Sequence, residues 1–228
     1  MSTAEPASLE TDDRHGEDRN GRRWWIVGLA VAALLGAGIV VWWLVTTPRL
    51  EGGGLAGVSS PDHDIVRASG LNESVYAVPA DGPGSSTVAF GLHNDGRLPV
   101  ELVDVWPSME DPLCFWQPTE RWFQDDPQHR YSLDDRARPA QGAVLEPGGS
   151  ATIWVTGAHP NPDDCTHDAL NSSDDVEVIA RIGGRTSTTR VPLGFTFGYT
   201  DDPEMLRDFY DVQVLTPSEE ALSLHPPK

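Results

Sequence analysis

The chain has 228 residues, with 35 acidic side chains against 16 lysines and arginines and a formal charge of −19. That acidity excludes nucleic acid, whose phosphates would repel it, as a partner, and it opposes lying flat on anionic lipid. Lys228 is the only lysine, so no internal lysine exists for a Schiff base, a Ser-Lys dyad or a Lys-Asn crosslink.

Residues 1–23 carry six acids and four arginines and show no apolar periodicity. They read as a disordered cytoplasmic tail. Residues 24–45 (WWIVGLAVAALLGAGIVVWWLV) then run without a charge. A helix of that length spans about 33 Å, enough for a hydrocarbon core of about 30 Å. Trp24-Trp25 and Trp42-Trp43 bracket it, and indole rings favour the headgroup level at either face. The predicted element is one transmembrane helix touching the lipid bilayer along residues 24–45.

Arg14, Arg19, Arg22 and Arg23 precede this helix, and only Arg49 follows closely. Basic residues resist translocation, so the N-terminus is expected in the cytoplasm and the C-terminal domain outside it, at the cell membrane. Arg22 and Arg23 with the four tryptophans form the expected membrane interface. A cleaved signal peptide is the rival reading, but its apolar region would be shorter and end in small residues. Here Trp42-Trp43-Leu44-Val45 holds that place. Gly28, Ala32 and Gly36 make a small-xxx-small series on which two copies of the helix can pair.

Residues 46–63 include Gly52-Gly53-Gly54 and read as a flexible linker. The folded domain is expected over residues 64–228. It begins with a short strand over 74–78. Residues 86–93 set Val88, Phe90 and Leu92 on one face at a period of two, the pattern of a half-buried strand. Asn94-Asp95-Gly96 supplies hairpin chemistry, and residues 100–106 return as the partner strand, apolar enough to be buried on both faces. Leu145-Glu146-Pro147-Gly148-Gly149 is a further turn, and residues 151–156 follow as a strand. Residues 175–182 and 185–193 flank Gly183-Gly184, a two-residue turn of the primed type. Pro192 suits a strand edge or end. Residues 194–199 alternate Phe195, Phe197 and Tyr199. Near the end, Pro203 opens a predicted short helix with Met205, Leu206, Phe209 and Tyr210 as its apolar side.

Short strands with turn signals between them predict an all-β domain, an antiparallel sandwich with a short C-terminal helix. Residues 107–143 fit no such element and read as a long loop. It carries Phe115, Trp116, Trp122, Phe123 and Tyr131, which form the candidate interaction surface. The plainer alternative is that these aromatics extend the core. Cys114 lies in this loop and Cys165 in another polar stretch, an even count that reads as a disulfide in an exported domain. The bridge would pin the aromatic loop across one end of the sandwich.

Asp163, Asp164, Cys165, His167 and Asp168 are the densest run of metal-ligand types, with 62–64 (DHD) and Asp125, Asp126 and His129 beside them. None has EF-hand or zinc-motif spacing, so a solvated surface is the plain reading and a metal site the sharper one. No cofactor motif occurs: there is no Walker loop, no G-x-G-x-x-G after a strand and no H-E-x-x-H. G-x-S-x-G is absent too. The sequence therefore predicts a non-enzymatic binding module for an envelope protein or wall polymer. A metal- or small-ligand-binding accessory protein of the envelope is the alternative, and a hydrolase comes third.

Residues 87–100 (TVAFGLHNDGRLPV) and 145–150 (LEPGGS) resemble a pattern of extracellular immunoglobulin-like modules. In those, a strand ends in Asn-x-Gly, a Pro-Val strand follows, and a later Leu-x-Pro-Gly turn opens another strand. The layout as a whole is similar to single-pass membrane proteins of actinobacteria with β-sandwich ectodomains. The resemblance implies an immunoglobulin-like fold. It departs from antibody domains, because no Asp-x-Gly-x-Tyr-x-Cys precedes the second cysteine.

Overall fold

A computed structural model describes residues 17–70, 74–79, 84–107, 116–125, 136–159, 171–200, 203–208 and 210–215. The chain divides into two units, 1–45 and 46–228. The first contains one helix, α1 (Glu17–Val45). Its segment Trp24–Val45 has a mean hydropathy of 2.3 and no burial within the protein, and it is long and apolar enough to cross a membrane. Trp24 and Trp25 are each 76% exposed. The helix starts before the predicted span, so residues 17–23 are helical where the sequence predicts a disordered tail. An apolar run that has already nucleated a helix extends it at little cost per residue.

The second unit is a β-domain of two sheets. Its strands are β1 (Leu50–Ser59), β2 (Ile65–Ser69), β3 (Ser74–Pro79), β4 (Ser85–Asn94), β5 (Val100–Pro107) and β6 (Gln117–Asp125). There follow β7 (Arg138–Pro139), β8 (Val144–Leu145), β9 (Ser150–Ala158), β10 (Asn171–Ile182), β11 (Arg185–Thr200) and β12 (Asp211–Leu215). One sheet has the order β1-β4-β9-β6-β7 and the other β12-β2-β3-β11-β10-β5-β8. Val88, Phe90 and Ile153 of the first sheet and Val105, Val178 and Phe197 of the second belong to one buried cluster, an arrangement consistent with a sandwich. A smaller cluster of Val66, Ala68, Val75, Ala77 and Leu206 sits between β2, β3 and the chain after β11.

The tight turn at Gly183-Gly184 forms as the sequence predicts. Both glycines have positive φ, 55° and 84°, and Ile182 pairs with Arg185 across them. Pro192 lies in the half of β11 that β3 does not reach, since β3 pairs only with residues 196–200. The missing proline N–H therefore leaves no gap in that ladder.

Several expectations are corrected. The linker over 46–63 contains β1, which pairs with β4 from Leu50↔Asn94 to Ser59↔Thr87 with a shift of register between Gly53 and Ala56. Leu50 and Val58 are buried, and a side chain at Gly52 would run into the Pro192 carbonyl. The glycines there serve close backbone approach as well as flexibility. Strands β4 and β5 are not a hairpin but lie in different sheets, so residues 95–99 turn a corner between them. The loop over 107–143 contains β6, an inner strand of its sheet, and the short β7. The sandwich is not wholly antiparallel, because β3 and β11 run parallel. The late helix is a single 3₁₀ segment, Pro203–Asp208, cut short because residues 211–215 extend to pair with β2.

Candidate functional site

Two of the predicted surface aromatics lie in the core. Trp116 is 3% exposed. Its Nε1 donates to the Ser86 carbonyl over 3.2 Å, and its ring meets Phe197 edge-on at 5.5 Å. Gly157 makes room for it: a methyl group there would collide with the indole. Phe123 is fully buried, capped by the Arg138 guanidinium 4.7 Å above its ring. Both are core residues, which corrects their assignment to an interaction surface. Sheet pairing explains it, because β6 docks on β9 with Phe123 opposite the fully buried Ile153. Trp122 points the other way, opposite Trp154, half-buried with its Nε1 donating to Glu120 Oε2 at 3.2 Å. Phe115, Tyr131, Cys114 and Cys165 lie outside the described residues, as do Asp163, Asp164, His167 and Asp168.

A different aromatic is offered to solvent. Trp106, near the end of β5, is 41% exposed. The Arg121 guanidinium of β6 lies 4.7 Å from the centre of its indole. Arg121 Nε is 2.7 Å from Asp104 Oδ1 and 2.9 Å from the Val105 carbonyl, and Trp106 Nε1 donates to Asp104 Oδ2. The arginine thus bridges the two sheets, and the indole is held by charge on one face and a hydrogen bond at its edge. Sequence reasoning assigned Trp106 to a strand buried on both faces. A bulge decides otherwise: Ile179 pairs with Asp104 and Ala180 with Leu102, leaving Val103 as the extra residue. The alternation shifts by one, so Leu102 and Val105 are both buried and Trp106 turns out.

A second cluster gathers where β4 starts and β9 ends. Ser60 Oγ donates to the Ser85 carbonyl at 2.8 Å and accepts the backbone N–H groups of Asp62 and His63 at 3.3 and 3.2 Å. Asp62 Oδ2 accepts the Ser85 N–H at 3.0 Å. The turn carrying His63 is thereby pinned to β4. On the other side, the His159 N–H donates to the Gly84 carbonyl at 2.9 Å. The two imidazole rings stand 4.8 Å apart with a 33° tilt, and His159 meets Tyr199 edge-on at 4.9 Å. Tyr199 is fully buried, its hydroxyl 2.8 Å from Ser86 Oγ. Burial pushes its pKa well above the usual phenol value, and the Ser86 hydrogen bond offsets only part of that. Of the predicted metal-ligand types, Asp62 is engaged with the backbone and Asp125 with Arg138 Nη2 at 3.1 Å. Among the described residues no three His, Cys, Asp or Glu side chains converge on one point.

No protein-family model matches the chain, and no curated protein matches it. Among solved structures it is similar to a family 123 glycoside hydrolase from Clostridium perfringens, studied for glycolipid glycan hydrolysis. The identity is 12%, the match covers 63% of this chain, and the TM-score is 0.30. The chain spans about a quarter of that protein's length, 26%. The expectation of a non-enzymatic chain finds no support in these comparisons, in which the similar structure is that of a hydrolase. At that TM-score the likeness carries neither fold nor activity to this chain.

Proposed function

We propose that the chain is a membrane-tethered β-domain, presented outside the cytoplasm, that binds an envelope protein or wall polymer. The observation that carries this is the helix segment Trp24–Val45, apolar throughout and with none of its residues buried in the protein. A water-soluble chain rarely leaves so large an apolar surface uncovered. The four arginines ahead of the helix support a cytoplasmic N-terminus. Self-association through Gly28, Ala32 and Gly36 belongs to the same reading, since added methyl groups at Gly28 and Gly36 would meet nothing within 4 Å. The immunoglobulin-like class belongs here too. Its support is the pair of corners, at 95–99 and 146–149, where the chain passes from one sheet to the other.

The binding surface in this reading is Trp106 with Arg121. Tryptophan and arginine are the residue types that most often dominate interfaces, and this pair is already ordered by Asp104. A planar indole beside a fixed guanidinium suits a sugar ring or an aromatic-acidic protein patch. The test is a photocrosslinking residue at position 177, the cross-strand neighbour of Trp106, in intact cells, compared with one at Val214, which is 47% exposed on β12. The reading expects a discrete adduct from position 177, lost with Trp106→Ala. Identical adduct patterns from the two positions reject the surface.

A further inference from the structure

We propose that the outer face of β5, β10 and β11 binds an uncharged glycan, with Trp106 as the platform for a sugar ring. This rests on the reading of Trp106 and Arg121 as the binding surface and narrows its partner to one chemical class. Strand register builds the face. Trp106 of β5 pairs with Glu177 of β10, which pairs with Arg190 of β11. Asp104, Ile179 and Thr188 form the next row, and Glu101, Arg181 and Thr186 the one beyond. Directly paired residues share a face of the sheet. The intervening Val176, Val178 and Ala180 of β10 are buried, so these rows point away from the core.

The face is electrically balanced. Arg121 Nε lies 2.7 Å from Asp104 Oδ1, Arg181 Nη1 3.1 Å from Glu101 Oε1, and Arg190 Nε 3.3 Å from Glu177 Oε1. Each charge in the three rows thus has an opposite partner, in a chain whose formal charge is −19. A cationic polymer would be drawn to the acidic remainder of the chain in preference, and an anionic one finds no surplus of positive charge here. The rows offer guanidinium donors beside carboxylate acceptors, with the exposed hydroxyls of Thr186 and Thr188 at one side. A sugar hydroxyl donates and accepts at once, so it can bridge such a pair while carrying no net charge.

Trp106 supplies the apolar part. It keeps 41% of its surface in solvent, with the Arg121 guanidinium against its ring and its Nε1 donating to Asp104 Oδ2. The ring is therefore ordered before a partner arrives, which lowers the cost of binding. The electron-rich face of an indole attracts the polarised C–H bonds along a pyranose ring. A protein partner fits this face less well. With strands about 4.8 Å apart and about 3.4 Å per residue, the rows cover about 10 by 14 Å. Each partner in a stable protein complex buries roughly 800 Å². Glu101, Asp104 and Glu177 also stand among the rows, and Asp and Glu are depleted in protein interfaces.

The test uses the full-length protein in micelles of a detergent without a sugar headgroup. It is titrated calorimetrically with uncharged hexasaccharides of glucose, mannose, galactose or N-acetylglucosamine, and with the anionic hexamer of galacturonate and the cationic hexamer of glucosamine. Saturable binding of at least one uncharged hexamer is expected, tighter than that of either charged one. Trp106→Ala should weaken it at least about tenfold. Arg190→Ala and Thr188→Val should each weaken it about threefold to tenfold, with the far-ultraviolet dichroism unchanged. Thr188→Val keeps the shape of the side chain, so it tests the face even if Trp106→Ala fails to fold. Failure of every uncharged hexamer to bind at millimolar concentration overturns the proposal. So does tightest binding of a charged hexamer, or wild-type affinity in the Trp106 and Thr188 variants. A protein adduct from position 177 that is lost with Trp106→Ala, without sugar binding, leaves the surface standing and removes only the glycan. Absence of both removes the surface as well.

Discussion

The side-chain amide of Asn94 donates to the carbonyl of Leu145 over 3.0 Å, 51 residues further along the chain. Its second N–H reaches the Leu98 carbonyl at 3.0 Å, and its Oδ1 accepts the Gly96 N–H at 2.9 Å. The Asn94 backbone closes the ring, giving its N–H to Gly149 at 3.0 Å and taking that of Gly148 at 2.8 Å. One fully buried asparagine therefore ties together two of the corners at which the chain changes sheets, β4 to β5 and β8 to β9. Those corners are the two sequence stretches that resemble immunoglobulin-like modules.

Asn94→Ala should lower stability by about 2–4 kcal/mol, because it strands two buried carbonyls and an N–H. In a domain of this size that is a fall in melting temperature of roughly 5–15 °C. Asn94→Asp keeps the acceptor for Gly96 but sets a carboxylate against two carbonyl oxygens, and should lose at least as much at neutral pH. Thermal melts of both variants check this. A change of about 1 °C or less for the alanine variant would show that the corners hold without their tie.

Trp116→Ala should cost about 3–5 kcal/mol as a large core truncation. Gly157→Ala should also destabilise, since the added methyl group overlaps the indole. Denaturant titration measures both. A Trp116→Ala protein as stable as the wild type would return this residue to the surface.

Val58→Ser and Leu50→Ala separate a strand from a linker. In a flexible linker both changes are silent. In β1 both side chains are buried, and Leu50→Ala should cost about 2–5 kcal/mol. Protease resistance of residues 46–63 in the purified protein gives a second measure of the same point.

Tyr199 makes stability fall at high pH. Its folded-state pKa is raised by burial, so above about pH 10 the unfolded chain releases a phenol proton that the folded chain still holds. The folded state then binds more protons, and stability decreases as pH rises from the unfolded value towards the folded one. Tyr199→Phe should remove this slope while giving up the hydrogen bond to Ser86 at all pH values. Denaturation midpoints between pH 8 and 11 test it, and parallel slopes for the two proteins contradict it.

Leu34→Arg with Leu35→Arg places two charges at the centre of the apolar helix, at about 3 kcal/mol each against membrane insertion. The wild type should remain in the membrane pellet after alkaline carbonate extraction, and the double variant should leave it. Release of a wild-type fragment beginning after residue 45 would identify the segment as a cleaved leader.

How much was legible follows the range of the forces involved. The helix over 24–45 was legible because length and apolarity are properties of contiguous residues. The turn at Gly183-Gly184 was legible because positive φ is a local demand that glycine meets. Strands such as β4 and β10 announced themselves by apolar side chains. Strand β6 did not, because a segment reading QPTERWFQD buries one apolar side chain, Phe123, beside a buried polar one, Gln124. The bulge in β5 left no mark in the sequence, yet it alone turns Trp106 outward. The meeting of His63 with His159 was equally hidden, since each ring is placed by backbone hydrogen bonds to Gly84 or Ser85.

By itself, then, the sequence determined an apolar rod, an acidic β-rich domain and the positions of its sharpest turns, all set by neighbouring residues. Only the tertiary structure decided which strands share a sheet, which tryptophans are core and which histidines face each other. Those depend on strand register and on hydrogen bonds between distant segments, which no local pattern encodes.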